Sequence, residues 1–385
     1  MSADHVVDLE ALRQPLLEGA PAGINLRVDE AGRAAWGSIR ELRDEARRIE
    51  RDADKDPNQD RWAAVPIWSK VVDTCAAVLT TQSRDLAVAA ALIEALGRTR
   101  GFRGLAAGCD VARAMVESHW SELFPIPDPE DGPADERMIA IERALPLVRL
   151  AGDDSEGLLV PAILHVPLVD GRDGERFGLC HWRSSAELRG VDDTDRLQTA
   201  LERGGTSPQQ FETGVATTDR AFLQDVFRGI QAASGAWQAL ADAVASASND
   251  VAIVPTLPLR ELFEECETAL RTFAPAAIAE LGAAAAAQSE TTNLAQSAAD
   301  GPAPRATPLA GVLVPGEASR NDVLQILESV ADHFERHDPH SLLAAQVRNV
   351  VRMARLPRAD YYRELILEES GLQSLSRMAG LTFDG

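Results

Sequence analysis

Three histidines near the C-terminus, His333, His337 and His340, recur at offsets of four and seven, the spacing that places ligands on one helical face. Pro339 interrupts such a helix before His340, and no cysteine or further histidine stands nearby, so surface or interface histidines are expected rather than a metal centre. Gly97, Gly101, Gly104 and Gly108 invite comparison with a phosphate cradle. They follow no strand and precede no Lys-Ser/Thr pair, so neither the P-loop nor the dinucleotide pattern is met, and a tight helix–helix crossing explains them better. Arg84 and Asp85 leave two readings open: a charge pair for a partner, or helix-start charges with local pairing. Cys75, Cys109, Cys180 and Cys266 are far apart and form no CxxC pair, which suits reduced thiols. Asp128, Glu130 and Asp131 lie among prolines as solvated acids. The sequence contains no Gly-x-Ser-x-Gly or His-Glu-x-x-His motif. The expectation is therefore a protein that is not an enzyme, with no cofactor and no metal.

The elements that would position these residues are helical. Thr81–Trp120 organises the rest: Ser83 can cap a helix whose apolar residues Leu86, Ala89, Ala90, Ile93 and Leu96 form one stripe. Gly97 and Gly101 punctuate it, and Leu105, Cys109, Ala112, Val116 and Trp120 form a second stripe. Two helices joined by a short Gly-containing turn make an antiparallel hairpin. Upstream, helices are predicted over Val7–Leu17, Ala31–Arg51 and Val65–Leu79, and downstream from Asp135 to Leu150. Leu158–Val169 and Phe177–Trp182 flank a Gly- and Asp-rich turn and read as a β-hairpin, with Pro161 and Pro167 marking an edge. Helical signal returns from Asp192 to about Gly282, broken at Pro255 and Pro258.

Ala283–Glu317 is rich in Ala, Ser, Thr, Gln, Gly and Pro, the composition of a flexible linker. A last helical block begins at Ser319, with Val323, Ile326, Leu327, Val330 and Phe334 on one stripe and Val347, Val350 and Val351 on the next. The fold class is mainly α: a multi-domain helical protein with a small β-hairpin after the N-terminal helical bundle. Its expected parts are residues 1–190, a middle domain 191–282, a linker 283–318 and a C-terminal block 319–385. So small a block with two apolar stripes is expected to self-associate, with Val323, Leu327, Phe334, Val347 and Val351 as candidate oligomerisation residues.

Composition narrows the partners. A formal net charge of −22 repels phosphate backbones and anionic lipid, so nucleic acid and membrane-surface roles are disfavoured. No apolar run in the sequence approaches the roughly 20 residues of a membrane span, so no membrane insertion is expected. The N-terminus lacks a basic region followed by an apolar core, the pattern of a signal peptide.

The pattern of Ser83, Arg84, Asp85, Leu86, Leu92, Gly101, Phe102, Gly104, Leu105, Gly108, Trp120, Leu123 and Pro125 resembles the N-terminal domain of the ImpA family, also called TssA. Pro21–Arg27 (PAGINLR) is similar to that family's entry segment, and the stretch from Ser319 to Ser341 resembles its C-terminal region, with Leu342 where a second proline is common. The resemblance implies a bacterial, cytoplasmic component of the type VI secretion system. It implies a C-terminal homo-oligomer, a ring or star, whose arms reach baseplate, sheath, tube or membrane-complex proteins during assembly. It singles out Arg84, Asp85, Gly101, Phe102, Gly104, Leu105 and Trp120 as family-motif or interaction residues. Two rivals stand beside it: a paralogue that anchors or terminates the sheath at the far membrane, and an enzyme with its site at the predicted β-hairpin.

Overall fold

The computed structural model describes residues 7–281, apart from 57, 129–131, 153–155, 173 and 192–193, together with residues 324, 327–329, 331–332 and 343–355. The chain divides into two compact units, Met1–Ala299 and Asp300–Gly385. The expected linker, and with it Ser319, Val323, Phe334 and the three spaced histidines, lies outside the described residues.

In the first unit, α1 (Leu9–Arg13) starts at Asp8, whose side chain accepts the Glu10 N–H. α2 (Glu30–Lys55) starts at Asp29, which accepts from the Gly32 N–H at 2.8 Å. Ile39 and Ala46 are its buried stripe, with Trp36, Leu42 and Ile49 packed beside them. A 3-10 turn, Arg61–Ala64, leads into α3 (Val65–Thr81), which buries Trp68, Val71, Val72, Cys75, Val78 and Leu79. The stretch Arg61–Thr81 is, by length and composition, apolar enough to cross a membrane, which run-length reading of the sequence does not anticipate. Its buried residues share one core with α2 and α4 (Leu86–His119), and that packing accounts for the composition.

α4 is folded back on itself. In a straight helix Ile93 and Gly108 would lie about 22 Å apart at 1.5 Å per residue. Here a Cβ added at Gly108 would sit 2.9 Å from the Ile93 Cα, and one at Gly104 would sit 2.2 Å from the Leu96 carbonyl oxygen. The reversal is at Gly101, with φ 62° and ψ −147°, a conformation that side chains rarely adopt. The hairpin expected over Thr81–Trp120 is therefore present, and its glycines serve close approach of the two arms.

Two expectations about its start and surroundings are corrected. The N-cap is Asp85, which accepts the Ala87 N–H at 2.7 Å, not Ser83, whose buried hydroxyl has no hydrogen-bond partner. Ser83 is held in an extended bridge opposite Gly23, so the helix cannot begin until two residues later. The long β-hairpin is also reduced to two residue pairs, β1 (Val169–Asp170) and β2 (Arg176–Phe177). Its flanks are helices instead, α6 (Val160–His165) and α7 (Leu179–Leu188), which follow α5 (Glu136–Ala151). Pro161 sits in the first turn of α6, where its missing N–H costs nothing.

After α8 (Thr194–Glu202) and α9 (Pro208–Thr217), α10 (Arg220–Ala247) lies along α4, and α11 (Leu257–Phe273) packs on α10. The break at Pro255 falls between α10 and α11, but Pro258 stands in the first turn of α11, where its missing N–H costs nothing. The separation expected at residue 190 is not present: Phe227, Ile230, Trp237, Leu259 and Phe263 belong to the same core as Leu86, Leu96 and Phe102. Gly229 lets α10 approach the hairpin turn, since a Cβ there would lie 3.2 Å from the Phe102 Cβ.

In the second unit, α12 (Leu343–Arg355) buries Val351 at 3% exposure, while Val350 is 57% exposed and Val347 intermediate. Arg348 to Asp332 and Arg355 to Glu328, both 2.8 Å, tie it to the segment containing Leu327.

Candidate functional site

The motif segments converge on one junction. The Arg84 N–H donates to the Ala22 carbonyl at 2.7 Å and the Ile24 N–H to the Gln82 carbonyl at 3.0 Å, so Pro21–Arg27 runs beside the start of α4. A Cβ at Gly23, with φ 79°, would sit 2.1 Å from the Gln82 carbonyl oxygen. Beyond the hairpin the chain returns to the same place, where the Leu86 N–H donates to the Phe124 carbonyl at 2.8 Å. Asp85 is fully buried, caps α4 and receives Arg27 Nη1 at 2.5 Å.

Arg84 is buried beside it without a carboxylate. Its Nη2 donates to the carbonyls of Ala11 at 3.1 Å and Gln14 at 3.3 Å, and its Nη1 donates to that of Leu79. These carbonyls close the C-terminal turns of α1 and α3, where the helix dipoles favour a cation. Burial pushes the Arg84 pKa down. The other motif residues are also internal: Phe102 meets Phe263 edge-on at 6.2 Å, and Leu105 fills the space over Gly97. Trp120 is half-buried beneath the Arg143 guanidinium, 5.7 Å from its ring, and Arg143 itself is held by the Leu123 and Ser121 carbonyls, both at 2.7 Å.

Sequence reasoning missed the most heavily charged buried spot. Glu94, fully buried on the first arm of α4, accepts from Arg47 Nε at 2.8 Å and Nη2 at 2.6 Å, and from Arg43 Nη2 at 2.6 Å. Arg98 Nη1 stands 3.3 Å away and its Nε bonds Glu50 at 2.9 Å, while Glu50 also accepts the Trp68 indole N–H at 2.8 Å. Burial pushes the Glu94 carboxyl up, but Arg98, Arg43 and Arg47 outweigh it and hold the pKa at about 2. The available signal was a lone acid in an arm buried all round, facing arginines four residues apart on α2.

At the hairpin turn a cleft of about 330 Å³ opens between Arg98, Gly101 and Phe102, the 3-10 turn with Arg61 and Trp62, and His165. It adjoins a second hollow that contains Cys180 and His181. Cys180 Sγ lies 3.3 Å from His181 Nδ1, the arrangement here nearest to nucleophilic chemistry. Burial pushes the thiol up to about 11, and burial with His165 and Arg61 pushes the imidazole down to about 4. At neutral pH the thiol stays protonated and the ring neutral, so the thiolate–imidazolium pair of a cysteine nucleophile does not form. Burial likewise raises the thiols of Cys75, Cys109 and Cys266, and all four cysteines are free. Among the described residues, no cluster of His, Cys, Asp and Glu could hold a metal ion.

The motif residues thus build a helical core and leave open grooves between helices. Residues 13–150 match the family model described as ImpA, N-terminal, type VI secretion system. The chain is 26% identical over 327 residues to the type VI secretion system component TssA1 of Pseudomonas aeruginosa, covering 83% of this chain and 87% of that protein. The solved N-terminal domain, including the conserved ImpA_N region, of the TssA component from Burkholderia cenocepacia shares the fold. Its TM-score is 0.55 at 21% identity, over 72% of this chain and 98% of that one. Residues 13–150 thus carry an ImpA N-terminal region, and the chain as a whole is similar to TssA components of type VI secretion systems.

Proposed function

We propose that this chain is a non-enzymatic assembly component of a bacterial type VI secretion system, acting in the cytoplasm. Its C-terminal block self-associates, and its first unit serves as a rigid arm that docks baseplate, tail-tube, sheath or membrane-complex proteins while the contractile tail is built. Supporting the arm role is the use of Arg84, Asp85, Phe102 and Leu105 inside the core, which makes a stiff body rather than a reactive site. The observation that carries the self-association is α12: Val351 faces inward, Arg348 and Arg355 are tied down, and Val350 is left 57% exposed one residue away. On so small a unit, an uncovered apolar edge is satisfied by a second copy.

Light scattering of the full chain in solution tests this. The mass should be that of a multimer, and Val350→Asp should reduce it towards the monomer without loss of helical content. A monomeric wild-type chain, or a multimer indifferent to Val350→Asp, would move the interface away from α12.

A further inference from the structure

Along the flank of the hairpin, away from its turn, lies a second groove of about 480 Å³, within the range of ligand-binding pockets. Its two walls are α2 and α5, and its floor is the first arm of α4 at Ala87 and Ala90. Arg40 on α2 and Arg149 on α5 both line it, both are exposed, and neither forms an ion pair among the described residues. Asp44, four residues on along the same helix, acts on Arg47 rather than on Arg40. Arg43 and Arg47 also reach the groove. Each holds Glu94 through Nε and Nη2, so their Nη1 groups make no hydrogen bond among the described residues. Leu145 and Pro146 of α5 and Trp36 of α2 add apolar side chains to the lining.

We propose that this groove receives a short acidic segment of a partner protein, its carboxylates on Arg40 and Arg149 and an aliphatic side chain between them. Guanidinium forks match carboxylates in plane and in hydrogen-bond geometry. Asp44 and Glu142 also line the groove, so its local charge is only modestly positive, and selection comes from placement rather than from a broad field. A long polyanion meets the net charge of −22, whereas a short acidic peptide meets only the groove. The apolar side chains of Trp36, Leu145 and Pro146 in the lining add a requirement that a free phosphate or a nucleic acid backbone does not fulfil.

The proposal deepens the partner-docking reading above, but its test does not depend on that reading, because it uses the purified full chain and a synthetic probe. The probe is a fluorescent peptide in which Asp and Glu flank a single Leu, followed by anisotropy. Saturable binding is expected, weakening with added salt. The matching Asn/Gln peptide, and the Arg40→Glu/Arg149→Glu variant, should each bind about tenfold more weakly or worse. Arg33→Glu, an exposed change on α2 outside the groove, should leave binding unchanged, and all variants should melt as the wild type does. The proposal is overturned if the amide peptide binds equally, if the double reversal has no effect, if a single-stranded oligonucleotide binds more tightly than the peptide, or if no saturable binding occurs. Any of these leaves the self-association measurement standing.

Discussion

Arg84 and Glu94 sit ten residues apart at the start and middle of one buried helical arm, yet their charges are held in opposite ways. Arg84 has no acid and lies against the carbonyl ends of two helices. Glu94 is surrounded by three arginines, two of them reaching across from α2. The first arrangement uses fixed backbone dipoles and hardly responds to pH in the acid range. The second uses ionisable side chains, so it depends on Glu94 keeping its charge. One locks the chain entry to the hairpin and the other locks α2 against it.

Breaking the Glu94 cluster should give the largest effect. Glu94→Ala leaves the partly buried Arg43 and Arg47 guanidinium groups without their carboxylate and Arg98 with Glu50 alone, and should cost about 3–5 kcal/mol, read as a fall in the urea midpoint of the first unit. Acid should reach the same cluster without mutation. The Glu94 pKa lies below its ordinary value of 4.5, at about 2, so its contribution is complete above that ordinary value and is lost as pH falls towards 2. The linked loss is of order 3 kcal/mol, and urea titrations at a series of acid pH values measure it.

A smaller effect is expected at the hairpin that carries both charges. Gly104→Leu must displace the Leu96 carbonyl and should cost about 1–3 kcal/mol, seen as a lower thermal midpoint. Arg84→Met removes donors from the Ala11, Gln14 and Leu79 carbonyls and should cost about 1–2 kcal/mol, with the acid limb of the stability curve unchanged. Arg40→Glu, on an exposed groove wall, should change stability by no more than about 0.5 kcal/mol.

What could be read from the sequence was local. The buried stripes of α2 and α3, the glycines at the close crossing and the break at Pro255 are all statements about neighbours a few residues apart, and they hold in the structure. The first arm of α4, by contrast, is buried all round rather than along one stripe. The Glu94 cluster needs Arg43 and Arg47, some fifty residues upstream, and nothing in α4 alone points to them. The union of residues 191–282 with the N-terminal core is equally non-local, because it depends on Gly229 meeting Phe102. Asp85 displaced Ser83 as the cap because pairing with Gly23 holds Ser83 extended, a constraint set sixty residues away. Leu158–Val169 has an apolar run that suits strand or buried helix alike, and length alone could not separate them.

The most direct test of the two-mode account is the stability of the full chain in urea from neutral pH down to about pH 2, measured for the wild type, Glu94→Gln and Arg84→Met. The account predicts that Glu94→Gln is weaker at neutral pH and lacks the wild type's acid loss attributable to this carboxyl, while Arg84→Met retains that loss in full. An acid limb that persists undiminished in Glu94→Gln would contradict it.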